Sequence, residues 1–146
     1  MSRPRDLVST LVSLISLAAC GLISCDEVAK VASPDGRLEA VLIETNGGAT
    51  TSFGYEIWVQ KKGGWSGEQV GRLYSAVRSE CAYGANLKWN DDRHLSVEYQ
   101  EARTETLETP TLQISGREVH ITFRANVSDP RAPCGGMLFN LQRGKR

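Results

Sequence analysis

The chain has 146 residues, a length that suits one domain with a single hydrophobic core. Basic and acidic residues balance at 17 each, and beyond residue 25 the chain carries 15 basic and 16 acidic residues. A body so close to neutral lacks the positive field that collects nucleic acid. Nucleic acid is therefore excluded from the expected partners.

The first 24 residues have the layout of a secretory signal peptide. Residues 1–6 (MSRPRD) hold two arginines, and a mostly apolar stretch begins at Leu7. Residues 7–24 reach about the minimum length of a membrane-spanning helix, but four serines and a threonine weaken that interpretation. The sequence predicts export, with a plain cleaved signal and an uncleaved membrane helix as the alternatives.

Two cysteines end apolar runs within this region. The stretches LAAC (17–20) and LISC (22–25) both resemble the lipobox of bacterial lipoproteins. The resemblance implies that a cysteine sulfur receives a diacylglyceryl group and that a peptidase cuts before that cysteine. Two acyl chains make such an anchor effectively permanent, so the expected location is the bacterial cell envelope. The domain would face the periplasm or the cell exterior.

The lipidated cysteine is predicted to be Cys25, with Cys20 as the alternative. Cys20 has the closer lipobox, because two alanines precede it. Cys25 is followed directly by the polar residues DEVAK. Cleavage before Cys25 would also leave Cys81 and Cys134 as a single pair of other cysteines. The predicted organisation is a signal peptide over 1–24, a lipidated cysteine and tether over 25–34, and one β domain over 35–146.

The rest of the chain predicts short strands separated by turn residues. In residues 53–60 (FGYEIWVQ), Tyr55, Ile57 and Val59 alternate with polar or amphipathic residues, as in a half-buried strand. The predicted strands cover residues 37–45, 53–60, 68–76, 85–89, 94–100, 111–115, 118–125 and 137–142. The only helical feature that the sequence suggests is one or two helical turns near 70–78. Seven or eight such strands predict an all-β fold, an antiparallel sandwich or small barrel.

Cys81 and Cys134 are predicted to form a structural disulfide. They are 53 residues apart, and closing a loop of that length contributes on the order of 4 kcal/mol to the free energy of unfolding. A redox pair is the alternative, but the sequence has no C-x-x-C motif.

Part of the body resembles a family of uncharacterised small bacterial envelope proteins. The resemblance rests on the SPDG turn (33–36), the GATTSF segment (48–53) and LKWNDDRHLSV (87–97), and it covers about residues 31–100. It implies a small β domain at the envelope and brings no catalytic residues. SPDGRLEAVLI also resembles the start of a propeller blade, but the chain is too short for the four blades that a propeller needs.

Patterns typical of catalysis or metal binding are weak. His94 and His120 are the only histidines, and both are predicted on outer polar faces, with Asp91 and Asp92 near the former. No pair of Cys or His has zinc spacing, so no metal and no cofactor are expected. Ser66 lies in a hairpin turn rather than in the strand-to-helix elbow of a hydrolase. The sequence therefore predicts a protein that is not an enzyme.

A small-residue loop is the candidate binding element. Its residues are Asn46, Gly47, Gly48, Thr50, Thr51 and Ser52. Loops of this kind on a rigid sheet bind partners, but they also serve as tight connections that use glycine for positive φ. Trp58, Trp65 and Trp89 are further candidates for a ligand-binding face, although Trp89 is expected in the core.

These observations predict an envelope lipoprotein whose β domain binds or interacts without catalysis. The expected partners are the membrane, through the lipid anchor, and an envelope protein. One alternative is an inhibitor of an attacking enzyme such as lysozyme, because lysozyme inhibitors are also small disulfide-bonded β lipoproteins. A small periplasmic hydrolase is the other.

Overall fold

The computed structural model describes residues 24–138, and these residues contain nine strands. The strands are β1 (Ser24–Ala32), β2 (Leu38–Asn46), β3 (Phe53–Lys61), β4 (Gly67–Tyr74), β5 (Asn86–Asp91), β6 (His94–Glu98), β7 (Thr104–Leu107), β8 (Thr111–Ile114) and β9 (Arg117–Arg124). The all-β prediction is confirmed, with one or two strands more than expected.

The strands form two sheets. The first has the order β1-β2-β3-β4-β7 and the second the order β5-β6-β9-β8. Every strand pair in the described region is antiparallel except β6 with β9, which is parallel. The chain crosses between the sheets three times, because β7 returns to the first sheet between β6 and β8.

The core lies between the sheets and follows the predicted alternation. Tyr55, Ile57 and Val59 of β3 are fully buried, whereas Glu56 and Trp58 lie on the outer face. The second sheet contributes the following buried side chains: Leu87, Leu95, Val97, Leu112, Val119 and Ile121. Burying one such aliphatic side chain stabilises the fold by about 1.5–3 kcal/mol.

Several predicted elements differ from the structure. Residues expected in a tether form β1, which pairs with β2 along its length. Strand β7 was not predicted either. No helix lies over 70–78, because β4 continues to Tyr74 and the chain then turns away. Of the last predicted strand, residues 137 and 138 are not in a strand, and residues 139–142 lie outside the described residues.

The sandwich has two unlike ends. The turn end holds the short connections 33–37, 62–66, 92–93 and 115–116. The loop end holds the start of β1 and the segments 47–52, 75–85, 99–103 and 125–138, which have five to fourteen residues. Backbone hydrogen bonds join the connections within each end, for example Lys62 N–H to Arg37 O (3.0 Å) at the turn end.

The predicted disulfide is confirmed. Cys81 and Cys134 are bonded, with their Cα atoms 4.7 Å apart. Beside the bond, Tyr83 N–H donates to Gly135 O at 2.9 Å. The disulfide therefore fastens segment 75–85 to segment 125–138 at the loop end. Within residues 24–138, no helix is long and apolar enough to cross a membrane.

Candidate functional site

The candidate loop 46–52 is the exposed connection between β2 and β3 at the loop end. Its polar atoms mostly bond to one another. The Gly48 N–H donates to Asn46 Oδ1 (2.9 Å), and both the N–H and the hydroxyl of Thr51 donate to Gly48 O (3.1 Å). Gly48 has a φ of 107°, which favours glycine. The geometry matches the second interpretation given from the sequence, a tight connection that uses glycine for positive φ.

The end of this loop is tied to the end of β4. The Ser52 N–H donates to the Tyr74 phenol oxygen (3.1 Å), and the Ser52 hydroxyl donates to the Ser75 hydroxyl (3.0 Å). The Tyr74 side chain is therefore fixed over the outer face of the first sheet. This contact joins the loop to a groove on that face.

The groove, called the outer groove below, runs across β3, β4 and β7. Its walls come from two cross-strand rows on the outer face. The row nearer the loop end is Thr45, Gly54, Tyr74 and Thr104, and the next row contains Glu56, Arg72 and Thr106. Directly opposed residues on neighbouring strands share a face, so the register alone places these side chains together. The cavity volume is about 330 Å³.

Gly54 forms the floor of the outer groove. Thr45 and Tyr74 flank it on the two neighbouring strands, and a Cβ at this position would overlap the Thr45 hydroxyl. A glycine inside a strand often marks a place where another group approaches the backbone closely. At Gly54 the missing side chain makes room for the Thr45 hydroxyl, which lies over the backbone there.

The groove is lined by hydroxyl groups, an aromatic ring and one charge of each sign. Arg72 forms an ion pair with Glu108 (2.7 Å), and Glu56 accepts a hydrogen bond from the Trp58 indole N–H (3.1 Å). Both charged groups are therefore held in place by neighbours. The lining can hydrogen-bond a polar ligand, and it contains no histidine or cysteine that would act as a base or nucleophile.

One side of the groove is an open sheet edge. Strand β7 is last in its sheet, and its residues Thr104, Glu105 and Thr106 are exposed. The outward-facing backbone of an edge strand presents N–H and C=O groups that can pair with another strand. Thr104 and Thr106 point their side chains toward the groove from that edge.

The two histidines lie together on the outer face of the second sheet. Their rings stack with centroids 5.1 Å apart, because His94 and His120 are opposed on β6 and β9. His94 Nδ1 lies 2.8 Å from Asp91, and the Arg93 N–H and His94 hold the pKa of Asp91 below its usual value. Among residues 24–138, no three Cys, His, Asp or Glu side chains converge as a metal site would require.

A hydroxyl, an imidazole and a carboxylate also line up beside this pair. The Thr111 hydroxyl lies 3.4 Å from His120 Nδ1, and His120 Nε2 lies 3.2 Å from Glu118. Thr111 and Glu118 are both exposed on the flat sheet face. We therefore regard this alignment as surface hydrogen bonding.

The three tryptophans do not share a face. Trp58 is half-buried on the outer face of the first sheet, and Trp89 packs against the core while its indole N–H donates to Val31 O (2.9 Å). Trp65 is fully exposed in the 62–66 turn. The expectation for Trp89 agrees with its packing, and only Trp65 presents a whole ring to solvent.

Cys25 lies exposed at the start of β1, outside the disulfide. In the sheet register it opposes Thr45, which in turn opposes Gly54. Cys25 therefore extends the row of Thr45, Gly54, Tyr74 and Thr104 by one strand, outside the lining of the outer groove. The alternative cysteine, Cys20, lies outside the described residues.

Sequence reasoning missed a buried polar cluster at the loop end. The Glu44 carboxylate is buried and accepts hydrogen bonds from the Tyr55 hydroxyl (2.8 Å) and the Met137 N–H (2.7 Å). Burial and the Glu44 charge raise the pKa of Tyr55, and burial lowers the pKa of Arg78 nearby. The donors that hold Glu44 come from β3 and from segment 125–138, so the cluster ties the last described segment to the sandwich.

Comparison with known protein families, with curated proteins and with solved structures finds no match for this chain.

Proposed function

We propose that this protein is a lipid-anchored protein of the bacterial cell envelope whose β-sandwich is a non-enzymatic binding module. The ligand is an extended segment of an envelope protein partner, and the binding surface is the outer groove. The observation that carries this proposal is the continuity of a polar groove, floored by Gly54, with the open edge of β7.

An extended segment fits this combination of groove and edge. A partner strand added beside β7 would form main-chain hydrogen bonds with the edge. Because side chains alternate along a strand, every second residue of the partner would lie on the same face as Thr104 and Thr106. Those residues would reach the groove hydroxyls, the Tyr74 ring and the Arg72–Glu108 pair.

The position of the sheet relative to the predicted anchor supports the same proposal. Cys25 and Gly54 are two strands apart in one cross-strand row, which corresponds to about 10 Å. Lipidation at Cys25 would bring the loop end and the outer groove close to the membrane. A partner bound there would be an envelope protein that extends a segment along the membrane surface.

A blocking substitution at the edge tests the binding surface. Thr106→Trp fills the groove from the exposed strand β7, and Thr111→Trp is the matched control on exposed edge strand β8 of the other sheet. A partner captured from membrane extracts by photo-crosslinking at position 104 should disappear with Thr106→Trp and persist with Thr111→Trp. Equal capture by both variants would contradict the proposed surface.

The anchor is tested separately by intact mass spectrometry of the protein extracted from bacterial membranes. The mass of a chain that starts at Cys25 and carries acyl groups supports the predicted site. The mass of an acylated chain that starts at Cys20 supports the lipid anchor but places it on Cys20. An unmodified mass would overturn the lipoprotein proposal and leave the binding surface to be tested on its own.

The second candidate function is inhibition of an attacking enzyme such as lysozyme. Trp65 favours it, because this fully exposed ring stands in the hairpin turn 62–66, and a large aromatic ring on a protruding turn is a frequent anchor in protein interfaces. Inhibition of lysozyme turnover that is lost with Trp65→Ala and kept with Thr106→Trp would support this candidate over the first.

A further inference from the structure

A second cavity lies at the turn end, opposite the candidate loop. Its volume is about 220 Å³. It is lined by Arg37, Arg93, Arg117, Ile114, Ser115 and Gly116, and by Leu38, whose side chain is buried in the core. No carboxylate belongs to the lining. The connections that contribute to it are 33–37, 92–93 and 115–116, so both sheets form the cavity together.

Asp35 and Asp92 fix one of the three arginines without lining the cavity. Arg117 Nη2 lies 2.5 Å from Asp35 Oδ2, and Arg117 Nη1 donates to Asp92 O (3.2 Å). Asp35 is held in turn, because its N–H donates to Asp92 Oδ1 (2.8 Å) and its Oδ1 accepts from the Ser33 hydroxyl (2.8 Å). Arg117 is therefore positioned before any ligand arrives.

The other two arginines keep most of their hydrogen-bonding capacity. The Arg37 side chain is 79 % exposed, and its Nε lies 3.9 Å from Asp35 Oδ2. Arg93 forms no ion pair with any residue between 24 and 138. Guanidinium groups present planar forks of N–H donors that match phosphate and carboxylate oxygens. The unused donors of Arg37 and Arg93 thus point to an anionic ligand.

We propose that the turn-end cavity binds a phosphate-type oxyanion, which Arg37 and Arg93 clamp against the fixed Arg117 and the 115–116 turn. The ligand is either a free phosphate compound or the phosphate of a lipid headgroup; because Cys25 lies at the loop end, that headgroup would belong to a membrane that the turn end faces. This site is independent of the outer groove and lies at the other end of the sandwich.

The first test is a titration of the full chain with inorganic phosphate, followed by ¹H–¹⁵N NMR at constant ionic strength. Saturable shifts confined to the amides near residues 37, 93 and 115–117 are expected. The double substitution Arg37→Gln/Arg93→Gln should weaken apparent affinity at least tenfold, because it removes charge-assisted hydrogen bonds. Arg103→Gln, which removes an exposed arginine at the loop end, is the matched control and should change nothing.

The second test distinguishes the two sources of phosphate. Full-chain protein is sedimented with vesicles of phosphatidylcholine alone and of phosphatidylcholine mixed with phosphatidylglycerol. Extra binding to the anionic vesicles that requires Arg37 and Arg93 identifies a lipid headgroup. Saturable phosphate binding without that extra binding identifies a soluble phosphate compound. Dispersed, non-saturating NMR shifts that the double substitution does not alter, together with equal binding to both vesicle types, would overturn the proposal.

Discussion

The turn end and the loop end of the sandwich are closed by different kinds of contact. Each end must close the space between two sheets and satisfy the backbone groups that leave the strands. The turn end uses connections of two to five residues and a charge pair between the sheets, Asp35–Arg117, whose side chains are 22 % and 16 % exposed. The loop end uses segments of five to fourteen residues, a disulfide and a buried carboxylate.

Both ends join distant parts of the chain, since Asp35 and Arg117 are 82 residues apart, but the loop end does so through a covalent bond and a buried carboxylate. The turns at 92–93 and 115–116 are set by neighbouring residues, and Ser115 and Gly116 have the positive φ of a two-residue hairpin turn. At the loop end, Glu44 bonds to the Met137 N–H, 93 residues away along the chain. We therefore expect substitutions at the loop end to have larger effects on stability.

The disulfide should show the largest effect. The double substitution Cys81→Ser/Cys134→Ser opens a loop of 53 residues, which should lower the free energy of unfolding by on the order of 4 kcal/mol. Urea unfolding followed by tryptophan fluorescence measures the change. Cys25→Ser is the control, since it leaves the disulfide intact. A similar loss in the control would show that the disulfide is not the source.

The buried carboxylate should rank second. Glu44→Ala leaves the Tyr55 hydroxyl and the Met137 N–H without their acceptor inside the protein, at a cost on the order of 3 kcal/mol. Glu68→Ala, at an exposed site in β4, should cost less than about 0.5 kcal/mol. Equal urea midpoints for the two variants would mean that water replaces Glu44 and that the loop end is less dependent on it.

The turn-end ion pair should have the smallest effect, and one that depends on pH. The Arg117 guanidinium and the Ser33 hydroxyl hold the pKa of Asp35 well below its ordinary range. A lowered carboxyl pKa stabilises the folded state above the unfolded value of about 3.9. That contribution is lost as the pH falls toward the folded pKa.

Asp35→Asn should therefore reduce stability near neutral pH and flatten its decline below about pH 4. Urea midpoints measured from neutral to acidic pH test this expectation. Glu68→Gln, at a carboxylate exposed on β4, is the control. Parallel pH curves for the wild type and Asp35→Asn would rule out the ion pair as the cause.

Much of the sandwich could be predicted because its central strands alternate cleanly. Tyr55, Ile57 and Val59 face the core, and Val119 and Ile121 do the same in the other sheet. The disulfide also followed from the sequence, since the predicted cut at Cys25 would leave one cysteine pair. In these regions the local pattern and the tertiary environment agree.

The two missed strands are both at sheet edges. In β1 a bulge between Glu27 and Ala29 interrupts the alternation, and in β7 (TETL) only Leu107 is apolar. Edge strands bury few side chains, so their sequences show little of the apolar–polar alternation that predicts a strand. A second bulge lies in β4, where Val70 is the extra residue opposite Ile57 and Trp58.

The candidate sites depend even more on register. Thr45, Gly54, Tyr74 and Thr104 belong to four strands and meet only because those strands pair in one order. The sequence did offer one signal, the glycine inside the otherwise regular strand 53–60. The arginines of the turn-end cavity come from two turns and from the start of β9, so no local sequence pattern brings them together.

The route of the chain between the sheets has a consequence for how the protein unfolds. β7 completes the first sheet only after β5 and β6 have been laid down in the second, and β9 then pairs in parallel with β6, more than twenty residues back. Neither sheet is complete without the chain passing through the other. The two layers cannot separate as independent units, so the sandwich should unfold in a single cooperative transition in which all spectroscopic probes report the same midpoint.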